Sequence, residues 1–312
     1  MTGYVRERWT HMTATFDIGI CAYNEEANIG RLLQNLLTQQ LDPDFRLNKI
    51  VVVASGCTDK TEDIVRDYSK THSEVTLITE REKKGKTSAL NKMLDAVQAD
   101  VLVYLNADVV PVPGSINAML KYFLDNSVGT VTTKAVPVDD RKKFAGFYSH
   151  FFWLFSHLIC VNLFVKVHGE LCAIRSKLIG KIPGDVPWED HYFEVVTRRQ
   201  GFRVVYAPDA VVLTKGPGSV ADILRWRRRT FSGYLYLRKK YIDWTPTPNL
   251  LKVFSFLNKV VNVNDLREVV WTWVIAFLEA IVFLMALFDL KRGYVPVKWQ
   301  PITSMKRPRV TS

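Results

Sequence analysis

The sequence predicts an α/β fold with a parallel sheet, followed by a hydrophobic helical segment near the C-terminus. Short apolar runs alternate with amphipathic segments through the first half of the chain, which is the pattern of parallel strands joined by crossover helices. Hydrophobic residues make up 48% of the 312 residues, enough to form a packed core. Residues 269–288 form an apolar run in which Glu279 is the only charged residue.

The predicted elements follow one another in a regular order. Strands are expected at residues 16–22, 49–54, 75–79, 100–105 and 129–134. Helices are expected between them, at residues 28–39, 61–70 and 87–98 and after residue 115. The first helix has apolar residues at intervals of three and four, namely Ile29, Leu32, Leu33, Leu36 and Leu37. A further βα unit is expected over residues 168–206, after an aromatic stretch at residues 144–167.

Polar clusters directly follow three of the predicted strands. They are residues 23–25, residues 55–59 and residues 106–108. In open α/β sheets, ligands bind beyond the carboxyl ends of the strands. The sequence therefore predicts that these clusters meet at one edge of the sheet and form a nucleotide site. Lys86 is a candidate contact for the anionic nucleotide, because it follows Gly85 at a helix start, where backbone amides favour anions.

Two acidic motifs are candidates for chemistry. Asp108 ends the tripeptide Asn106-Ala107-Asp108 after a strand. Mg²⁺ and Mn²⁺ prefer oxygen ligands and often take one or two carboxylates together with substrate phosphates, so Asp108 is a candidate metal ligand or an ordinary turn residue. Glu189 and Asp190 open a predicted helix, where a carboxylate serves either as a general base or as a favourable charge in the first helical turn.

Positive charge is concentrated in residues 225–229, which read Arg-Trp-Arg-Arg-Arg. On a helix, Arg225, Arg228 and Arg229 share one face and Arg227 points away. Guanidinium groups match phosphate geometry, so this face suits a diphosphate. The alternatives are a solvated basic face and a patch attracted to anionic lipid.

Composition limits the classes of partner and of site. The chain has 42 Lys and Arg against 31 Asp and Glu, a net charge of +11, which favours an anionic partner. The sequence has no zinc-finger or RNA-binding signature, so we do not expect the anionic partner to be nucleic acid. The four cysteines are far apart and form no CxxC pair, which indicates neither a zinc site nor a disulfide framework.

The apolar run at residues 269–288 is long enough to span a bilayer, which takes about 20 residues. Trp271 and Trp273 lie near one end and Lys291 and Arg292 follow the other, as interfacial anchors often do. The run is apolar on all faces rather than along one stripe. These features favour membrane insertion or embedding over the alternative, a core helix of a globular protein.

Taken together, these stretches resemble the family 2 glycosyltransferases, inverting enzymes with the Rossmann-like GT-A fold that include dolichyl-phosphate sugar synthases and polysaccharide synthases. The resemblance covers residues 16–235 and rests on the order and spacing of several motifs. These are residues 22–26, 55–61, 85–86 with 89–91, 106–108, Gly169 with residues 173–175, residues 189–190 and the arginine helix.

The resemblance implies roles for individual residues. Ala22, Glu25 and Ser55 would line the base and ribose pocket, Asp108 would hold Mg²⁺ or Mn²⁺, and Asp190, beside Glu189, would be the base. Arg228 would match the arginine of the family's Gln-x-x-Arg-Trp signature. The implied nucleotide-sugar site consists of Ala22, Tyr23, Glu25, Ser55, Lys86, Asn106, Ala107, Asp108, Arg225, Arg228 and Arg229.

The implied function is inverting transfer of a sugar from a UDP- or GDP-sugar to a membrane-lipid-linked or glycan acceptor. The family signature has Gln and Trp where this chain has Arg225 and Arg229, which favours single transfer over the alternative of a processive polysaccharide synthase. A non-catalytic basic protein that binds membranes is the other alternative. The oligomeric state is left open.

The implied organisation is a leader at residues 1–15, a catalytic domain at residues 16–241, and a linker with a membrane-associated tail at residues 242–312. A single crossing would put Lys291 and Arg292 opposite a catalytic domain that uses cytoplasmic nucleotide sugars, against the tendency of basic residues to stay on the cytoplasmic side. An even number of crossings, with residues 144–165 or 250–261 contributing, or a helix embedded in one leaflet would remove this conflict. We expect the tail to embed from the cytoplasmic face, with the aromatic stretch around residues 151–155 admitting a lipid acceptor.

Overall fold

The computed structural model describes residues 14–240, 255–294 and 302–306, and the strands within them form one mixed sheet. The strands are β1 (Ala14–Ala22), β2 (Phe45–Ser55), β3 (Val75–Glu80), β4 (Val101–Asn106), β5 (Val110–Pro111), β6 (Val128–Pro137), β7 (Leu171–Arg175) and β8 (Arg203–Thr214). Their order in the sheet is β3-β2-β1-β4-β7-β6-β8-β5. The strands predicted from the sequence coincide with β1, β2, β3, β4 and β6.

The helices follow the predicted alternation. They are α1 (Ile29–Leu37), α2 (Thr61–Thr71), α3 (Lys86–Ala96), α4 (Ser115–Leu120), α5 (Phe144–Asn162), α6 (Glu189–Arg199), α7 (Val220–Lys240), α8 (Leu257–Val260) and α9 (Leu266–Lys291). Most of the predicted leader, and residues 242–254 at the start of the predicted linker and tail, lie outside the described residues.

The first half of the sheet is parallel and is buried on both faces. Ile18 of β1 pairs with Ile50 of β2 on one side and with Val103 of β4 on the other. Along β2, Val52 contributes to the core beneath α1, whereas Val51 and Val53 contribute to the opposite core beneath α3. A strand buried on both faces has an unbroken apolar sequence, which explains the run at residues 50–54.

The second half of the sheet changes direction at β7, which is antiparallel to both of its neighbours, β4 and β6. Leu105 of β4 faces Leu171 of β7, and the backbone N–H of Asn106 donates to the carbonyl of Glu170 at 3.4 Å. Antiparallel pairing puts the end of one strand beside the start of the other. Residues 106–108 therefore lie next to residues 169–170.

Among the described residues, α5 and α9 are long and apolar enough to cross a membrane. The two helices also pack on α7, because Phe147 and Tyr148 of α5, Trp226 of α7 and Ile275 of α9 belong to one buried cluster. About a quarter of α9 is buried inside the protein (28% of its most apolar window).

Within the described residues, ion pairs at three points along α9 connect it to distant parts of the chain. Arg141 binds Glu268 at 3.0 Å, Arg227 binds Glu279 at 2.8 Å and Arg228 binds Asp289 at 2.6 Å. The hydroxyl of Tyr148 also donates to Glu279 at 2.7 Å. The single charge in the apolar run is therefore paired with a buried arginine of α7.

We expect Glu279→Gln to lower the free energy of unfolding by about 3 kcal/mol, because it leaves the arginine at position 227 buried without its partner. Only 11% of that arginine side chain is exposed. The measurement is denaturant unfolding of parent and variant.

The matched control is Asp67→Asn, which breaks the exposed Lys70–Asp67 pair of the same 2.8 Å length. This variant should lose less than about 1 kcal/mol, as surface pairs do. Equal losses in the two variants would contradict a structural role for the Glu279 pair.

Candidate active site

A cavity of about 330 Å³, here called the strand-end cavity, lies beyond the carboxyl ends of β1, β2 and β4. The structure brings nine of the predicted site residues to its wall. They are Ala22, Tyr23, Glu25, Ser55, Lys86, Asn106, Ala107, Asp108 and Arg229. The three polar clusters predicted to converge at one edge of the sheet do so.

Local hydrogen bonds hold the loops after β1 and β2 together. Asn24 has a positive φ of 52°, a conformation that Asn tolerates better than most residues. Its side chain donates to Thr58 at 3.1 Å and accepts from the backbone N–H of Thr58 at 2.8 Å. Gly56, with φ of 63°, has no room for a side chain, since a Cβ there would lie 2.6 Å from the Lys83 nitrogen. The sequences at residues 23–25 and 55–59 therefore fold as one wall of the cavity.

Lys86 connects the two acidic motifs. Its ammonium donates to Asn106 at 3.1 Å and forms an ion pair with Glu189. Burial by itself would lower the pKa of Lys86, but the adjacent Glu189 carboxylate outweighs it and raises that pKa. The same contact holds the pKa of Glu189 below its usual value despite burial. Lys86 and Glu189 thus remain a charged pair.

Asp190 lies beside this pair at the start of α6. A Cβ on Gly169 would lie 3.1 Å from Asp190 Oδ2, so glycine lets the backbone before β7 approach the carboxylate. Burial and the neighbouring charge of Glu189 raise the pKa of Asp190 to about 6. A carboxylate with such a pKa is ionised at neutral pH and is a better proton acceptor than an ordinary aspartate.

A second cavity of about 460 Å³, here called the aromatic cavity, opens beside Asp190. Its apolar wall comes mainly from α5 and α7 and from Trp188 at the start of α6. These side chains are Tyr148, Phe151, Phe152, Trp153, Phe155, Ile159, Phe164, Trp188, Trp226, Phe231 and Tyr234. Asp190, the predicted base, therefore faces the largely apolar aromatic cavity.

The arginine helix is oriented differently from the prediction. Arg228 binds Asp289 of α9, and Arg225, whose side chain is 68% exposed, binds Asp222. Arg227, expected to point away, lines the aromatic cavity. Of the three arginines predicted to face the nucleotide, only Arg229 lines the strand-end cavity. Helical spacing gives the angles between these side chains, but the packing of α9 on α7 decides which of them face the cavity.

The fit of a divalent cation depends on Asp108. Burial raises the pKa of Asp108, and Lys86, Lys306 and Arg229 oppose that rise. No group of three or more His, Cys, Asp or Glu side chains that could hold a metal occurs in the described ranges. The half-buried carboxylate of Asp108 nevertheless fits a cation whose other ligands are phosphate oxygens.

Glu170 and Lys306 lie in the site but were not among the residues predicted from the sequence. Lys306 binds Glu25 at 2.7 Å and donates to the carbonyls of Tyr23 and Asn24 at 2.6 and 2.8 Å. Glu170 lines both cavities. The position of Glu170 directly after Gly169, a residue of a matched motif, could have indicated it. Nothing in the sequence near Lys306 points to the site, because its contacts with Tyr23 and Asn24 span 283 and 282 positions.

Family models match most of the chain. The model of glycosyl transferase family 2 matches residues 17–173, and that of glycosyl transferase family group 2 matches residues 101–300. The chain belongs to glycosyl transferase family 2. The predicted family is therefore confirmed, and Asp108 and Glu170 both lie within the residues that the first model matches.

Relatives of this family 2 member include curated proteins from several organisms. The probable glycosyltransferase YdaM of Bacillus subtilis is 25% identical over 249 residues, which cover 72% of this chain and 56% of YdaM. A dolichyl-phosphate beta-glucosyltransferase of Trichomonas vaginalis is 29% identical over 28% of each chain. The chain thus spans only about half of YdaM and less of the Trichomonas protein.

Two solved structures share the fold of this family 2 chain. A mannosyltransferase of Pyrobaculum calidifontis in complex with GDP-Man and Mn²⁺ has a TM-score of 0.58 and 24% identity, covering 90% of this chain and 76% of that one. Glucosyl-3-phosphoglycerate synthase of Mycobacterium tuberculosis, with Mn²⁺ and UDP-glucose, has a TM-score of 0.52 and 18% identity over 72% and 78% of the two chains. The predicted GT-A fold is confirmed.

We expect Glu189→Gln to lower the pKa of Asp190 below about 6. The substitution removes a like charge that disfavours ionisation of Asp190 and leaves the Lys86 ammonium without its partner nearby. Carbon-detected NMR of the Asp190 carboxyl group across a pH titration measures this shift. Glu82→Gln, at an exposed position, should leave the titration unchanged. A rise in the Asp190 pKa would contradict this account of its environment.

Proposed function

We propose that the chain transfers a single sugar, with inversion, from a UDP- or GDP-sugar to an acceptor hydroxyl. The observation that carries the proposal is that the strand-end cavity and the aromatic cavity share part of their walls, at Lys86, Asn106, Glu170, Trp226 and Arg229. A donor diphosphate beside Asp108 and an acceptor beside Asp190 could therefore meet there. The convergence of these groups argues against a non-catalytic membrane-binding protein.

On this proposal, Ala22, Tyr23, Glu25 and Ser55 bind the nucleoside, because they line the part of the strand-end cavity formed by β1 and β2. Arg229 faces the diphosphate in the role that the sequence resemblance gave to Arg228. Asp108 would hold Mg²⁺ or Mn²⁺, which offsets the charge of the diphosphate when bound. The Mn²⁺ in the complexes of the two similar structures supports this proposal.

Asp190 accepts the proton of the acceptor hydroxyl as that oxygen attacks the anomeric carbon. The bond between that carbon and the diphosphate oxygen breaks, and its electron pair leaves with the diphosphate. Arg229 stabilises the negative charge that grows on the leaving group. Glu189 does not take the proton, because its charge is engaged by Lys86. It raises the pKa of Asp190 instead.

We further propose a lipid-linked acceptor. The aromatic wall of the second cavity suits an apolar chain, and a hydroxyl or phosphate-linked sugar at its head would lie near Asp190. The names of two relatives support this class of acceptor, one a dolichyl-phosphate beta-glucosyltransferase and the other a beta-monoglucosyldiacylglycerol synthase of a Nostoc species. The second is 24% identical over 40% of this chain and 27% of its own length.

The acceptor would reach the cavity from the cytoplasmic leaflet of a membrane in which α9 is embedded. One face of α9 is apolar and exposed, with Trp273 at 72% and Phe277 and Leu284 each at 65%. Both flanks of the helix return to the catalytic domain, through Glu268 to Arg141 at one end and through Lys306 to Glu25 beyond the other. This arrangement favours embedding over a single crossing, because a crossing would separate the two flanks.

The test of the proposed reaction compares Asp190→Asn with Asp108→Ala. We expect Asp190→Asn to reduce sugar transfer by about a hundredfold or more, with nucleoside diphosphate affinity within about threefold of the parent, because a base acts on the acceptor. Asp108→Ala should instead remove the part of nucleotide affinity that depends on Mn²⁺. Calorimetric titration of UDP and GDP with and without Mn²⁺, and transfer assays on a membrane extract, measure the two effects.

The exposed carboxylate of Glu82 supplies the control, since Glu82→Ala should change neither quantity. Loss of diphosphate binding in Asp190→Asn would assign Asp190 to the donor site. Metal-dependent binding that survives in Asp108→Ala would contradict the assignment of the metal to Asp108.

We expect the double variant Trp273→Glu and Phe277→Glu to bind vesicles of phosphatidylcholine and phosphatidylglycerol at least about tenfold more weakly than the parent. Each substitution replaces a large exposed apolar side chain of α9 with a charge. The control is Val263→Glu, since Val263 is 67% exposed but lies before the helix. Vesicle co-sedimentation is the measurement. Equal binding by all three proteins would contradict the embedding of α9.

A further inference from the structure

This inference rests on the proposed function, which requires the transferred sugar to lie at a defined place. Its anomeric carbon must lie between the diphosphate in the strand-end cavity and the acceptor oxygen beside Asp190. The shared wall of the two cavities is therefore the sugar site. Five described residues line both cavities, and these are Lys86, Asn106, Glu170, Trp226 and Arg229.

Most of the shared wall is engaged by other protein groups. The Lys86 ammonium binds Glu189 and Asn106. The Trp226 ring packs against Phe152 with centroids 4.8 Å apart. In contrast, the Glu170 carboxyl makes no hydrogen bond or ion pair with another residue in the described part of the chain. A carboxyl group open to both cavities is available to a ligand that reaches from one to the other.

The backbone fixes where this carboxyl lies. The Glu170 carbonyl accepts from the Asn106 N–H at 3.4 Å, and Leu171, the next residue, is fully buried in β7. On the other side, Gly169 packs against Asp190. Glu170 is thus held between the backbone of the proposed metal site and the proposed base, by strand pairing rather than by a mobile loop.

We propose that Glu170 binds the transferred sugar through hydrogen bonds between its carboxyl group and the sugar hydroxyls. Carboxyl oxygens accept from hydroxyl donors, and such charge-assisted bonds are stronger than neutral ones. Burial and the charges of Asp190 and Asp108 raise the pKa of Glu170 to about 8. Its protonated form also donates to a hydroxyl oxygen, so either form of the carboxyl can bind a sugar.

The experiment separates contacts with the sugar from contacts with the diphosphate. Parent, Glu170→Ala and Glu170→Gln are titrated calorimetrically with UDP and UDP-glucose, and with GDP and GDP-mannose, in the presence of Mn²⁺. For the pair that binds the parent, Glu170→Ala should weaken the nucleotide sugar about tenfold and the diphosphate less than about twofold. Glu170→Gln keeps hydrogen-bonding groups in place and should stay within about threefold of the parent for both ligands.

Glu82→Ala is the matched control, because it removes the same carboxylate from an exposed position near Lys83 of the strand-end cavity. It should change neither affinity. If Glu170→Ala does not fold, as judged by its thermal transition, Glu170→Asp replaces it, since shortening the side chain also withdraws the carboxyl from the sugar.

Equal weakening of nucleotide sugar and diphosphate would overturn the proposal, because Glu170 would then act on the diphosphate or on the shape of the cavity. Unchanged affinity for both ligands would overturn it as well. Failure of the proposed function has a different signature, which is that the parent binds neither UDP nor GDP.

Discussion

The antiparallel pairing of β7 with β4 is the constraint on which the site depends. β4 ends at Asn106 and is followed by Asp108, and β7 begins after Gly169 and Glu170. Because Leu105 faces Leu171, the end of one strand lies beside the start of the other. Both strands are buried, so their backbone groups must pair with each other, and a shift in register would expose apolar side chains on the wrong face. The position of the candidate metal ligand beside Gly169 and Glu170 is therefore a property of the sheet.

The charges around the site give its neighbouring carboxylates different pKa values. Glu189 stays ionised because Lys86 binds it, and its charge together with burial raises the pKa of Asp190 to about 6. Burial and the charge of Asp190 raise the pKa of Glu170 to about 8. Lys86 thus keeps one of three neighbouring acids ionised, while burial and mutual repulsion raise the pKa values of the other two. Different pKa values are required if one carboxylate accepts a proton while the others bind ligands or neighbouring cations.

The C-terminal part of the chain is integrated with the catalytic domain. Arg228, which the helical pattern offers to a ligand, instead binds Asp289 of α9, and Arg227 binds Glu279 of the same helix. Residues 302–306 reach further, since Lys306 binds Glu25 inside the strand-end cavity. The family model of group 2 extends to residue 300, in agreement with a functional unit that includes α9. The apolar face of α9 that remains exposed is then a surface close to the aromatic cavity.

The sequence by itself determined the alternation of strands and helices, the family, and the convergence of the three polar clusters. Apolar periodicity is a local property, and strands joined by crossover helices pair in parallel, which brings their carboxyl ends to one edge of the sheet. The sequence also offered Asp108, Glu189 and Asp190 as candidates, because they directly follow a strand or open a helix. Only the tertiary structure decided that Arg229 faces the strand-end cavity, since helical spacing fixes relative angles and the packing of α9 fixes the direction. Glu170 and Lys306 emerged for the same reason. Their positions depend on strand register and on contacts across hundreds of residues, which no local pattern encodes.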